Sequence, residues 1–236
     1  MKIAVISNLY PPISRGGAER VVQRIVKGFY GRGHDVFVIS SRPHRLSPWQ
    51  TSLPSLYAQR VYRFFPLNLY HVLRDYRYPF PIRIFWHLID LWYWGNGKRV
   101  AEILKNEKPD IVFTHNLKGI GLTIPKEIRR LGIPWIHTLH DVQLSIPSGL
   151  LIYGQKSWLT RGWVRFWYER QVKRAMGSPD IVISPSKFLS DFYKNRGFFP
   201  GSELKVMPNP APDFRMPEKL QRSAGPLRLL VAGQLE

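Results

Sequence analysis

The residues best suited to chemistry stand just after short apolar runs. Residues 14–20, Ser-Arg-Gly-Gly-Ala-Glu-Arg, follow the run Ile3-Ala4-Val5-Ile6 and the turn around Pro11-Pro12. They precede a pattern in which Val21, Val22, Ile25, Val26 and Phe29 share one helical face. Strand, glycine loop and helix start make an anion-ready geometry. The first N–H groups of a helix lack intrahelical acceptors, and the helix dipole favours a phosphate or sugar hydroxyl beside them. Gly16 and Gly17 leave room for a ligand to approach the backbone and tolerate positive φ. Taken alone, the pair also fits an ordinary tight turn. Three more polar groups close apolar runs in the same way: His115-Asn116, His140-Asp141 and Ser184-Pro185-Ser186. A histidine so placed can donate a hydrogen bond or move a proton.

The elements that must hold these groups alternate. Continuous apolar runs predict strands over residues 3–6, 36–39, 61–65, 110–114, 134–139, 179–183 and 204–207. Helical spacing predicts helices over 18–31, 82–105, 119–131, 158–176 and 187–195, with Gly95-Asn96-Gly97 a weak point in the second. The unit from strand 3–6 to strand 36–39 is a compact βαβ crossover, which implies parallel pairing. The expected fold class is therefore α/β, a Rossmann-like doubly wound parallel sheet. In such sheets ligands sit beyond the carboxyl ends of the strands, where all four polar groups fall.

Charge narrows the partners. With 35 Lys+Arg against 16 Asp+Glu the 236-residue chain carries a formal +19, which calls for an anionic partner. The absence of cysteine excludes disulfides and thiolate metal sites and fits a cytoplasmic setting. Residues 41–96 concentrate the imbalance. Arg74, Arg77 and Arg83 interleave there with Trp86 and many other aromatics, and Asp75 and Asp90 are the only acids. Two readings stand side by side: a peripheral membrane surface on the inner face of the cytoplasmic membrane, using Arg74, Arg77, Arg83 and Trp86, or an insertion whose aromatics pack onto the sheet. Single-stranded nucleic acid ranks behind both.

The final stretch changes character. Residues 208–212 are proline-rich, 216–225 are polar and linker-like, and 227–233 read as a fresh buried strand entering a glycine turn. The expected division is a first domain over 1–207, a linker over 208–226 and the opening strand of a further α/β domain over 227–236.

In order and spacing, these motifs resemble the N-terminal half of a family 4 glycosyltransferase with the GT-B fold. The resemblance rests on Lys2-Ile3-Ala4-Val5-Ile6 with Tyr10-Pro11-Pro12, Gly16-Gly17-Ala18-Glu19-Arg20, Gly33-His34-Asp35-Val36 and Lys108-Pro109-Asp110-Ile111-Val112. It continues through Thr138-Leu139-His140-Asp141, Ile183-Ser184-Pro185-Ser186, Val206-Met207-Pro208-Asn209 and Leu229-Leu230-Val231-Ala232-Gly233. Pro210 departs from the family's usual glycine after Asn209. The resemblance implies a retaining, hexosyltransferase-type enzyme. It would transfer sugar from a nucleotide-sugar donor to a sugar or lipid-linked acceptor hydroxyl, in cell-surface polysaccharide or glycolipid synthesis. The nucleotide sugar is then a substrate, and neither a separate cofactor nor a metal is implied. His140, the catalytic candidate, would contact the reacting donor sugar and help position the acceptor, with Gly16, Gly17 and Glu19 binding the donor phosphate or the acceptor. Asp141 would orient its loop, and His115, Asn116, Ser184, Ser186 and Asn209 would line the cleft. The family's diphosphate-holding cations lie in its C-terminal domain, so this chain alone is expected to be an inactive acceptor-binding half. A non-catalytic basic α/β module on an anionic membrane or polymer is the alternative. A dinucleotide-binding enzyme fits less well, because the glycines are adjacent and lack the G-x-G-x-x-G spacing.

Overall fold

Strand β1 (Lys2–Ser7) is an interior strand, third of seven, in the sheet of the computed structural model, which describes residues 1–44, 60–149 and 163–211. Its partners are β2 (Asp35–Ser41) on one side and β4 (Ile111–Thr114) on the other, both parallel. Beyond them come β3 (Arg60–Phe64), β5 (Trp135–Thr138), β6 (Ile181–Ser184) and β7 (Glu203–Val206). The order is β3-β2-β1-β4-β5-β6-β7, and every pairing is parallel. This is the doubly wound sheet that the alternating pattern predicts.

The alternation of side chains along β1 explains its interior place. Ile3 and Val5 face one layer with Val36, Val38, Val22 and Val26, the last two from helix α1 (Gly17–Gly31). Ala4 and Ile6 face the opposite layer with Phe37, Ile39, Val100, Leu104, Ile124 and Ile128. A strand buried on both faces must be apolar throughout, which is why it reads as an uninterrupted run.

Residues 41–96 are largely integral to the sheet rather than appended to it. β3 pairs with β2, Phe64 and Leu91 join the main core, and a 3₁₀ turn (Val72–Arg77) leads into helix α2 (Phe80–Trp92). Trp86, expected at a membrane surface, is 0% exposed. Its indole N–H donates to the Tyr70 carbonyl at 2.7 Å, so it is a core residue and cannot meet a bilayer. Residues 45–59 of this stretch lie outside the described residues, as do 227–233 with their predicted strand.

The predicted long helix is two helices, α2 and α3 (Trp94–Glu107), which meet at Tyr93. The break precedes the glycines. Asn96 is buried and its Oδ1 accepts the Leu67 N–H at 3.0 Å. Gly97 lies against Thr123, just before helix α4 (Ile124–Leu131). A Cβ on Gly97 would come within 2.8 Å of Thr123 Oγ1 and 3.1 Å of its carbonyl oxygen. The glycine therefore serves close packing. Helix α4 starts later than predicted because Gly119 and Gly121 take φ of +88° and +129°, outside the helical region, and Pro125 sets its first turn. Helices α5 (Trp163–Met176) and α6 (Lys187–Lys194) complete the described elements.

Gly97→Ala should destabilise the fold by about 1–3 kcal/mol through overpacking. Gly31→Ala, where an added Cβ meets nothing within 4 Å, should be neutral or slightly stabilising. Urea denaturation of both variants checks this, and equal midpoints would reject the packing role of Gly97.

Candidate functional site

The strand order reverses between β1 and β4, and the predicted polar groups gather beyond the carboxyl ends there. From β1 the chain passes through Asn8 into the glycine loop. Gly16 is extended, at φ −153°, and its N–H donates to Glu19 Oε2 at 2.9 Å. Glu19 is buried and spent on this helix-start contact, so its carboxylate belongs to the loop rather than to an open face. Neither glycine uses a positive φ; what they give is space, and a Cβ on Gly17 would meet nothing within 4 Å. An open cleft of about 390 Å³ lies over this helix start, lined by Gly17, Ala18, Arg20, Val21, Arg24, His140 and Asn209. Arg24 Nη1 also donates to the Pro210 carbonyl at 3.2 Å, which ties the segment after β7 to α1.

Behind the cleft is a histidine cluster. His115 follows β4, is 0% exposed, and its backbone N–H donates to the Ile6 carbonyl at 2.9 Å. Its Nδ1 stands 3.0 Å from His140 Nε2. His137, on β5, places Nδ1 2.8 Å from Thr114 Oγ1, which also accepts the Trp135 indole N–H at 2.7 Å. His115, Asn116, Lys118, His137, His140 and Asp141 share the lining of a second cavity of about 20 Å³. Room for about one water remains in a space of that size. Asp141 accepts the Gln143 N–H at 2.8 Å through Oδ1, and its carbonyl accepts the Tyr193 hydroxyl at 2.8 Å. Lys118 Nζ donates to the Pro147 carbonyl at 2.8 Å, and burial lowers its pKa.

The structure thus gathers Gly17, His140 and Asn209 at the open cleft and His115, Asn116 and Asp141 behind it. Ser184 and Ser186 do not join them. Ser184 is buried with its hydroxyl donating to the Ser186 carbonyl at 2.8 Å, and Ser186 caps α6 by accepting the Leu189 N–H at 3.2 Å. Among the described residues, no group of three His, Cys, Asp or Glu side chains is placed to hold a metal ion.

Residues 15–213 match the family described as Glycosyltransferase Family 4. The chain belongs to that family. It is 30% identical over 213 residues to an uncharacterized 42.6 kDa protein in the cps region of Klebsiella pneumoniae, covering 89% of this chain and 55% of that protein. It is 26% identical over 102 residues to lipid-A-disaccharide synthase of Francisella tularensis subsp. novicida (strain U112), covering 43% of this chain and 21% of that protein. The chain thus spans about half, or less, of the length of these curated relatives. Among solved structures it is similar to Arabidopsis thaliana UGT89C1 complexed with UDP-L-rhamnose, at TM-score 0.52 and 15% identity over 92% of this chain and 53% of that one. It is also similar to sucrose-phosphate synthase from Thermosynechococcus elongatus, at TM-score 0.50 and 15% identity over 88% of each chain. At such identities the likeness is one of fold, the Rossmann-like half of GT-B glycosyltransferases.

Two cleft residues of this family 4 domain, Arg20 and Arg24, are not among the site residues that the sequence predicts. Their signal is spacing: one helical turn apart, just after the glycine pair, on the side of α1 away from its valines. The interior of the domain is neutral where its rim is cationic. Burial holds His140 down to about 4 and His137 to about 3. Burial, then repulsion from His140 and His137, holds His115 well below the usual histidine range. Elsewhere burial with a nearby cation lowers His71 to about 4 and His87 to about 3.

Each of these five histidines titrates near 6.5 once unfolded. Between about pH 4 and 6.5 the unfolded chain therefore binds more protons, and stability falls as pH is lowered. Asp90, pushed up to about 7 by burial, and Asp141, raised by the same cause, act with opposite sign. Five groups against two leave the histidines dominant. Urea unfolding free energy should fall from pH 7 to pH 4.5 by on the order of 1.4 kcal/mol per pH unit for each histidine not offset by an aspartate. A flat profile would contradict the neutral cluster.

Proposed function

We propose that this chain forms one wall of a retaining glycosyltransferase site and works with a nucleotide-sugar donor in the synthesis of a cell-surface glycan. The observation that carries the reading is His140 at the lip of the 390 Å³ cleft, with the start of α1, Arg20 and Arg24 lining the same space. In the reaction, the bond from the anomeric carbon to a phosphate oxygen breaks. A bond to the acceptor oxygen forms on the same face, and the acceptor's proton leaves with the nucleoside diphosphate. Negative charge grows on the departing phosphate, where N–H groups and arginines stabilise it. A neutral His140 supplies a hydrogen bond to a sugar hydroxyl without the cost of burying a cation. The cps-region location of one relative, the lipid A disaccharide named in the other and the UDP-L-rhamnose bound by a structural neighbour all suit this chemistry. The sugar is assigned to the hexose class, and no separate cofactor is invoked.

Titration of the purified chain with UDP and a panel of UDP- and GDP-hexoses should shift NMR signals of Gly17, Arg20 and His140. His140→Ala should raise Kd by about two- to tenfold, the scale of one neutral hydrogen bond. The chain by itself should bind without turning over. Silence at all three residues with every nucleotide sugar would overturn the site, and enzyme-like nucleotide release would overturn the one-wall assignment.

A separate feature favours a membrane-bound acceptor, docked from the cytoplasmic face. Tyr76, Phe80, Phe85, Trp92 and Trp94 are 41–69% exposed along the 3₁₀ turn, α2 and the start of α3. Arg74 and Arg77 are exposed beside them, whereas Arg83 is paired with Asp75 at 3.2 Å. Among the described residues no helix is long and apolar enough to cross a membrane. Aromatic rings at headgroup depth with flanking cations, each adding about 1 kcal/mol, suit a peripheral contact. The chain should float with phosphatidylglycerol-containing vesicles at low salt and detach as salt rises. Phe85→Ser with Trp92→Ser should abolish flotation. Equal binding to purely zwitterionic vesicles would reject the electrostatic part of this reading.

A further inference from the structure

We infer that His115 is a positioning residue that fixes the tautomer of His140: its Nδ1–H donates to His140 Nε2, which leaves the His140 proton on Nδ1. The two rings stand with these nitrogens 3.0 Å apart, their centroids 5.3 Å apart and their planes tilted by 40°. One of the two nitrogens must donate, and two neutral arrangements are possible. They differ in what becomes of His115 Nε2, which is buried and, among the described residues, has no hydrogen-bond partner. If His140 donated, His115 would carry its own proton on Nε2, as a buried N–H without an acceptor. If His115 donates, Nε2 is only a bare lone pair. Orphaned buried N–H groups are the rarer and costlier of the two, so the second arrangement prevails. Burial disfavours an imidazolium at both positions, and at His115 the proximity of His140 and His137 adds to it.

The consequence reaches the cleft. His140 lines both the inner cavity and the open space over α1. With Nε2 engaged inward, the remaining nitrogen is Nδ1, and it is a donor. His140 is then built to give a hydrogen bond to an oxygen of the bound sugar or phosphate, and not to remove a proton from the acceptor. This use of the tautomer rests on the proposed role of His140, whereas the tautomer itself does not.

Long-range ¹H–¹⁵N correlation spectra of the ¹⁵N-histidine-labelled chain at neutral pH read the two ring nitrogens directly, with no ligand present. His140 should show a protonated Nδ1 and a bare Nε2, and His115 the same. In His115→Asn the side-chain amide keeps a donor where Nδ1 stood, and the His140 pattern should persist. In His115→Leu it should be lost, giving a mixture in which Nε2–H is substantial. A wild-type His140 protonated on Nε2, or an unchanged Nδ1–H signal in a folded His115→Leu, would sink the proposal. If His115→Leu does not fold, the wild-type and His115→Asn spectra still decide it. Because no nucleotide sugar is needed, failure here is distinct from failure of the glycosyltransferase reading, which shows as silence in the ligand titration.

Discussion

Asn8 holds the place where the sheet divides. β2 and β4 lie on opposite sides of β1, so the chain beyond β1 has strand ends diverging on both flanks, and their backbone groups need partners. Asn8 N–H donates to the Asn116 carbonyl at 2.8 Å, and the Asn8 carbonyl accepts the Ser41 N–H at 3.2 Å. The Ser41 hydroxyl donates to that same carbonyl. The Asn8 side chain donates to the Lys118 carbonyl at 3.0 Å and accepts the Leu9 N–H at 2.8 Å. One buried residue thus joins the ends of β1, β2 and β4 to one another. Unpaired, these groups would each cost on the order of 1–3 kcal/mol, so the arrangement is tightly determined. The glycine loop leaves from this knot, and His115 enters beside it.

The electrostatics follow from the same geometry. Groups tucked under the strand ends are cut off from water, so burial holds the histidines there well below the usual histidine range and pushes Asp90 up to about 7. Arg20 and Arg24 lie on the side of α1 away from its sheet-facing valines and remain at the cleft. The cleft is neutral on the β5 side and cationic on the α1 side. A nucleotide sugar has a matching division, with an uncharged ring of hydroxyls and an anionic diphosphate. That match is one of charge pattern and is independent of the family resemblance.

The sheet was legible because buried parallel strands leave a one-dimensional trace: β1, β2, β4, β5 and β6 are short apolar runs followed by polar residues. The glycine pair and the strand-end histidines were legible for the same reason, since position at a strand end is a matter of order along the chain. Contact across the fold was not legible. Trp86 reads as an interfacial aromatic, yet its burial depends on Tyr70 stacking against it at 5.6 Å. Gly95-Asn96-Gly97 reads as a helix weak point, yet Gly97 is fixed by Thr123, which is remote in sequence. Ser184 and Ser186 look like cleft hydroxyls, yet Ser184 donates to the Ser186 carbonyl and Ser186 caps α6, although a serine three residues before a helical leucine is a recognisable capping signal. The pairing of His115 with His140 joins two loops across neighbouring strands, and nothing in their spacing announces it.

The histidine pair also shows why a strand-end site can afford a buried imidazole. A lone histidine under the sheet edge would leave both ring nitrogens to find partners in an apolar layer. Two histidines at adjacent strand ends satisfy one nitrogen of each, and His140 turns its other side toward the cleft, where a ligand oxygen can complete the set. His115 Nε2 stays buried and, among the described residues, without a partner. Parallel β4 and β5 are paired with Thr114 opposite His137, so the residues that follow each strand emerge side by side. The register of two strands therefore brings His115 and His140 together, and the hydrogen bond between them carries that register to the open cleft.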